Sequence, residues 1–292
     1  MRRRSSSAGN RKPVIIRGAD HARYSIITLL TDFGLSDGYV ASMKGVILTL
    51  CPEVRIVDIT HQVPAFDIRS GSYLLKTVCD AFPRDTIHLA VVDPGVGTER
   101  RALAVRMECG RILIGPDNGL LSWVLSMRKD WESRSLETPE TWRQVVAHTF
   151  HGRDLFAPVA AHLACGVRFE SFGPTCSPHI ASWVCAERKG GDLFGEIVHI
   201  DHFGNLITNI IEQDLGGWEE PISWGVSLPG VATVTGLSRT YGETPAGRLV
   251  ALIGSSGHLE IAVNQGSAAR VLSLGTGSPV TVFPRREDVE VQ

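Results

Sequence analysis

Hydrophobic positions follow two patterns along the chain, and the change comes near residue 192. Before it, apolar runs of strand length alternate with segments whose apolar residues recur at helical spacing. The runs at 25–30, 54–59 and 87–92 each close on polar groups: Asp32, then Asp58 with His61, then Asp93. Continuous apolar runs of this length are how strands buried on both faces read. Between the first two, Tyr39, Val40, Met43, Val46, Ile47 and Leu50 share one face of a helix, capped by Ser36 or Asp37 and stopped by Pro52. A second helix is expected over 67–79. The order β-α-β-α-β with short loops predicts a parallel sheet with right-handed crossovers.

The runs 103–107 and 111–115 predict a hairpin through Cys109-Gly110. A polar turn at 116–119 leads into a helix with Leu120, Leu121, Val124 and Leu125. Residues 129–143 read as charged, irregular surface. The segment 148–154 precedes a last helix, with Pro158 near its start, that ends at Gly166. From Leu193 onward, short β-like runs at 196–199, 206–210, 231–234, 248–253, 259–263, 269–274 and 279–283 alternate with Gly- and Pro-rich turns. The expected architecture is an α/β N-terminal domain with a mainly parallel sheet (25–172), a linker (173–191), and a smaller all-β, barrel-like C-terminal domain (192–292). A basic flexible tail (1–24) precedes them.

Composition adds exclusions. The chain has 292 residues, a length that fits about two domains. Its net charge of −2 gives no global sign of a nucleic-acid or membrane partner. No apolar run approaches the ~20 residues that span a bilayer. The six cysteines include no C-x-x-C pair, so they read as reduced core thiols of a cytoplasmic protein. The first dozen residues are rich in Arg and Ser, as transit peptides are, but no amphipathic pattern follows.

Four clusters carry chemistry: Asp32 with Asp37; Asp93 with Arg100; His148, His151, Arg153 and Asp154; and, in the β region, residues 201–205 with 254–260. Asp93 sits where an apolar run breaks into Pro94-Gly95, at the carboxyl end of a strand, where open α/β sheets bind ligands. It also fits a simple turn cap, and the loop alone does not choose. There is no G-x-S-x-G elbow, no Walker A motif and no H-E-x-x-H, and Gly95-x-Gly97 lacks the rest of a dinucleotide fingerprint. His148-x-x-His151 is too short a pattern to argue a metal.

Taken in order, TDFGLSDGYV (31–40), KGVI (44–47), VDITH (57–61), VVDPGVGTERR (91–101), GPDNGLL (115–121), TFHGRDLFAP (149–158), IDHFGNLITNI (200–210) and GSSGHLEIAVN (254–264) resemble the S-adenosylmethionine (SAM) hydroxide adenosyltransferases, relatives of fluorinase and chlorinase. The resemblance implies hydrolysis of SAM to adenosine and methionine, with SAM as substrate and no cofactor or metal. It implies a homotrimer with sites shared between subunits. Carried over residue by residue, it implies a catalytic triad of Asp93, Arg100 and His151. Asp32 would hold the ribose, Asp201 and Ser255 the methionine amine and carboxylate, and Phe203 and Asn205 the adenine. Phe66 and Phe150 would be apolar walls, and Glu260 and Val263 fall on further ligand positions. The halogenases carry Tyr-Pro-x-Thr where this chain has Asp93-Pro94-Gly95-Val96, and a Tyr and a small residue where it has His151 and Gly152. Fluorinase also inserts a long loop where Cys109-Gly110 joins two strands here. These departures favour water or hydroxide over halide. A halide-using adenosyltransferase, a metal-dependent hydrolase using His148, His151 and Asp93, and a non-catalytic SAM- or adenosine-binding module are the competing readings.

Overall fold

The computed structural model describes residues 24–139, 142–143, 146–216 and 224–284. The expected tail lies outside these residues, apart from Tyr24, as do 140–141 and 144–145 of the segment expected to be irregular surface. Among the described residues no helix is long and apolar enough to cross a membrane.

The chain forms two compact units. The first comprises 1–62, 82–116 and 130–177, and the second 63–81, 117–129 and 178–292. In the first, β1 (Ile26–Thr31), β2 (Arg55–Thr60), β3 (Thr86–Val91), β4 (Ala102–Met107), β5 (Ile112–Pro116) and β6 (Trp131–Ser135) make one sheet in the order β2-β1-β3-β5-β4-β6. The β1–β2, β1–β3 and β3–β5 pairs are parallel, and the β4 pairs are antiparallel. So the expected parallel sheet and hairpin are both present. Every residue of β3 is buried, as its apolar run required. Its one imidazole, His88, is accommodated by Thr28 Oγ1 on β1 at 2.8 Å. Helix α1 (Tyr39–Leu50) buries Val40, Met43, Ile47 and Leu50, four of the six predicted face residues.

Two expectations fail here for identifiable reasons. The start of α1 has Gly38 as its cap with no side-chain hydrogen bond, so neither Ser36 nor Asp37 caps it. Within 129–143 lies strand β6, so the segment is not irregular there, although Glu132 on it stays partly exposed. Glu132 is the cross-strand partner of Arg106 on β4, and the two form an ion pair at 2.7 Å.

The second unit holds α2 (Ile68–Cys79), α3 (Ser122–Ser126) and an antiparallel, barrel-like sheet. Its strands are β7 (Glu187–Lys189), β8 (Asp192–Ile200), β9 (Leu206–Ile211), β10 (Trp224–Leu228), β11 (Ala232–Thr235), β12 (Leu249–Ile253), β13 (His258–Val263) and β14 (Pro279–Pro284). The order is β11-β10-β14-β8-β9-β13-β12, with β7 beside β8. Strand β8 is the corner: its first half pairs with β14 and its second with β9. The helix expected over 67–79 is present as α2, and Asp67 caps it, accepting from Ser70 N at 3.0 Å.

The run 269–274, expected as strand, instead carries helix α5 (Ala268–Leu272). Ser267 caps it by accepting from Arg270 N, and two alanines and an arginine favour it. Strand β10 escaped the sequence pattern because Gly225 interrupts it, yet a Cβ there would lie 2.3 Å from the Phe283 ring of β14. All six cysteines are free, but only Cys51 and Cys79 are buried, and Cys185 is exposed, so they are not all core thiols.

A π-helical turn, Gly152–Phe156, leads into α4 (Ala157–Ala164) in the first unit. Asp154 is fully buried in that turn and accepts from Arg143 Nη1 at 2.7 Å, Arg153 Nε and Nη2 at 2.6 and 2.7 Å, and Ala147 N at 2.9 Å. Burial alone would raise its pKa, but the bonds from Arg153, Ala147 and Arg143 outweigh it and hold the carboxyl at about 2. The stabilisation is therefore present above the ordinary carboxylate pKa and is lost as pH falls toward 2. Asp154→Asn should lower unfolding free energy at pH 7 by about 2 kcal/mol. Denaturant titrations of the two proteins should converge between pH 4 and pH 2; a gap that stays constant with pH would contradict this.

Candidate active site

The parallel pairing of β1 with β3 matches Thr31 to Val91 and brings the two carboxyl ends together. β2 lies on the far side of β1, so strand order reverses at this point, where doubly wound sheets bind ligands. Asp32 follows β1 and Asp93 follows β3 by two residues.

The turn bearing Asp32 is pinned by His61. The imidazole Nδ1 lies 2.9 Å from Thr31 Oγ1, that oxygen accepts from Phe33 N at 3.2 Å, and the His61 carbonyl accepts from Gly34 N at 2.8 Å. His61 Nε2 lies 3.1 Å from Asp58 Oδ1, and Asp58 Oδ2 accepts from Lys44 at 2.6 Å. These contacts run from the surface to both sides of Asp32.

Arg100 does for the next loop what His61 does for the first. Its Nε donates to both Asp93 oxygens at 3.0 Å, and its Nη2 to Asp93 Oδ2 at 2.5 Å. The same Nη2 lies 2.8 Å from His151 Nδ1. Side chains of Asp93 and Arg100 are 4% and 10% exposed, so this pair is far from the solvated surface bridge that would contribute little. The Phe156 ring lies beneath the guanidinium at 5.4 Å.

Arginine carries no acceptor, so the facing nitrogen of His151 must be the acceptor and the ring neutral with its proton on Nε2. Burial lowers the His151 pKa, and the Arg100 charge lowers it further against the pull of Asp93. Gly97 makes the approach possible: its φ is +79°, and a Cβ there would lie 2.4 Å from the His148 carbonyl oxygen. Phe150 is half-buried, with its ring edge-on to Phe33 and Tyr39 at centroid distances of 5.9 and 5.2 Å and Arg153 over it at 4.8 Å.

In the second unit, six predicted residues, Asp201, Phe203, Asn205, Ser255, Glu260 and Val263, line one cleft of about 1150 Å³. Asp201 Oδ1 accepts from the N–H groups of Phe203 and Asn205 at 2.9 and 2.8 Å, and Oδ2 from Asn205 Nδ2 at 3.0 Å. That turn leaves the Phe203 ring 73% exposed. Glu260 Oε1 accepts from Tyr241 at 2.5 Å. Burial raises the Glu260 pKa, and the Asp201 charge adds to it while the Tyr241 bond opposes. Phe66 is not among the cleft's lining; it lies before α2, 70% exposed, with a φ of 68° that a bulky residue rarely adopts. Sequence reasoning missed Tyr73, His199 and Tyr241, which also line the cleft. Among the described residues no group of three or more His, Cys, Asp or Glu could hold a metal ion.

Residues 27–173 match the SAM hydroxide adenosyltransferase N-terminal domain, and residues 195–281 the C-terminal domain of the same family. The chain belongs to the SAM hydroxide adenosyltransferase family. Relatives in this adenosyltransferase family include an (R)-S-adenosyl-L-methionine hydrolase of Thermus thermophilus, 41% identical over 88% of this chain and 99% of its own. A fluorinase of Nocardia brasiliensis is 31% identical over 90% of this chain and 98% of its own. A conserved protein of Thermotoga maritima has a solved structure that superposes with a TM-score of 0.79 at 35% identity, covering 88% of this chain and 99% of that one.

Gly97→Ala should push the Asp93–Arg100 loop away from His148 and His151. Turnover should fall at least tenfold, with a stability loss of about 1–3 kcal/mol. Steady-state kinetics and chemical denaturation check both, and unchanged turnover would show that the close approach is dispensable.

Proposed function

We propose that this protein hydrolyses SAM to adenosine and L-methionine by attack of water or hydroxide at the ribose 5′ carbon. The observation that carries the reading is the Asp93–Arg100–His151 arrangement beside Asp32, in a chain similar along its length to SAM hydrolases. Those relatives are named for the R epimer at sulfur, and we extend that preference to this chain.

The chemistry suits the residues. Hydroxide drawn from solvent, its proton left in bulk water, forms the C5′–O bond while the C5′–S electrons pass to sulfur, leaving a neutral thioether. Hydroxide and sulfonium annihilate opposite charges, so a site poor in water favours the transition state over the separated ions. Asp32 fixes the ribose for in-line attack. A neutral His151 that accepts from Arg100 has only an N–H left to offer, and a donor holds hydroxide rather than taking a proton from water. Asp93 keeps the Arg100 charge compensated. In the cleft, Asp201 takes the ammonium, Ser255 the carboxylate, and Phe203 with Asn205 the adenine, with Glu260 and Val263 as further walls and Phe66 and Phe150 as apolar cover.

The proposed assembly is a cytoplasmic homotrimer whose sites draw on two subunits, without nucleic-acid partners. Supporting it, the ribose and triad residues all belong to one unit, while Asp201, Asn205 and Ser255 belong to the other. Phe66 and Phe203, both apolar, are also left exposed in the single chain.

Each SAM epimer incubated separately with the protein in ¹⁸O-water tests the reaction. The expected product is adenosine with one labelled oxygen at C5′, formed faster from the R epimer; unlabelled adenosine, or no turnover of either epimer, would contradict it. Calorimetry tests the binding roles. Asp32→Ala should weaken adenosine at least tenfold. Asp201→Asn keeps an acceptor for the Phe203 and Asn205 backbone amides but drops the charge and the Oδ2 acceptor of Asn205 Nδ2, so it should weaken methionine much more than adenosine. The reverse pattern would overturn the assignment.

A further inference from the structure

Under the turn that carries Ser255 and Ser256 lies a cation with no carboxylate of its own. Lys76, on α2, is half-buried, and its Nζ donates to the Ser256 carbonyl at 3.1 Å and meets His258 Nε2 at 2.9 Å. His258 is fully buried and gives its Nδ1 proton to the Thr208 carbonyl at 2.8 Å, so its Nε2 is an acceptor and the ring is neutral. Burial and the Lys76 charge, against the Thr208 bond, hold the His258 pKa at about 4. Asp80, one turn further on, favours the Lys76 charge from a distance but pairs with Arg128 instead, through both oxygens at 2.5 and 2.6 Å. Among the described residues no acid forms an ion pair with Lys76. Taking an ammonium partly out of water to face two neutral acceptors is costly, and the fold gains no ion pair from it.

The turn above Lys76 shows what the charge serves. Gly254 N bonds the His258 carbonyl and Gly257 N the Gly254 carbonyl, each at 2.9 Å, which closes the loop. Among the described residues, the N–H groups of Ser255 and Ser256 and the Ser255 hydroxyl have no partner, and both serines line the cleft. Ser256 Oγ accepts from Tyr73 at 2.9 Å, so its own proton is left to donate. Two successive peptide N–H groups and two serine hydroxyls offer donors to an anion. The ammonium on the Ser256 carbonyl polarises the next peptide, whose Gly257 N–H closes the turn, and sets a positive charge beside those donors.

The geometry points to Lys76 as a positioning residue that holds the Ser255–Ser256 turn in register and gives it the charge to select an α-carboxylate on the substrate. This rests on the reading that Ser255 faces the amino-acid end of SAM. Lys76 acts through the turn and is not itself in the cleft lining. Arg270, which does line the cleft, is the rival cation.

Calorimetry on the full chain with L-methionine, L-methioninol and adenosine separates these possibilities, because methioninol lacks the carboxylate. Lys76→Met should weaken methionine about tenfold or more, methioninol less than twofold, and adenosine not at all. Lys76→Gln, which still donates to Ser256 without charge, should show the same loss of discrimination, and Lys76→Arg should recover part of it. For SAM turnover, KM should rise with kcat within about twofold of wild type. Equal weakening of methionine and methioninol, methionine binding indifferent to Lys76, or a discrimination that collapses in Arg270→Ala instead, would overturn the assignment. A wild-type protein that binds neither methionine nor adenosine would overturn the substrate reading itself.

Discussion

The arrangement at the end of β3 depends on one guanidinium. Arg100 is bonded to Asp93 through two nitrogens and to His151 through one of the same pair, in a setting almost closed to solvent. Its fixed charge decides two things at once. His151 is kept neutral, and the one remaining polar atom of the imidazole is made a donor. The backbone answers to the same contact. Gly97 has the conformation and the missing side chain that let the 93–100 loop reach the 148–151 segment. Asp154, with its arginine and amide partners, then holds the turn that follows.

The two units divide the work by chemistry. In the proposed reading, the sheet unit supplies the ribose and nucleophile groups, at the carboxyl ends of neighbouring parallel strands, and the barrel-like unit supplies those for an amino acid and a flat base. There a carboxylate orders a turn with an exposed phenyl ring, and a serine turn is backed by a lysine. SAM, a sulfonium that joins methionine to an adenosyl group, is the molecule the proposed roles describe. The proposed chemistry needs from the protein mainly position, dryness and a held hydroxide, since the sulfonium is already a good leaving group.

Much of this was legible in the sequence because it is local. A buried parallel strand that breaks into Asp-Pro-Gly is visible in any window, and so are Asp32 after β1 and the turns at 201–205 and 254–257. What was not legible depends on partners distant in the chain. Strand β6 is polar by composition and is a strand through its pairing with β4, where Glu132 faces Arg106. Helix α5 looked like strand by hydrophobicity, but its cap and its alanines decided otherwise. Tyr73, Lys76 and Tyr241 are unremarkable in sequence, since each acts through a contact more than a dozen residues away: Ser256 for the first two and Glu260 for the third. Gly225 reads as an interruption until the Phe283 ring that covers it is seen.

The most direct test of the account is the protonation of His151. Nitrogen-15 NMR of histidine-labelled protein at neutral pH, assigned with His151→Gln, reports which ring nitrogen carries the proton. The account predicts a neutral ring protonated at Nε2, with a titration midpoint below the ordinary histidine value of about 6.5 that rises in Arg100→Met. A ring protonated at Nδ1, or an imidazolium at neutral pH, would contradict it.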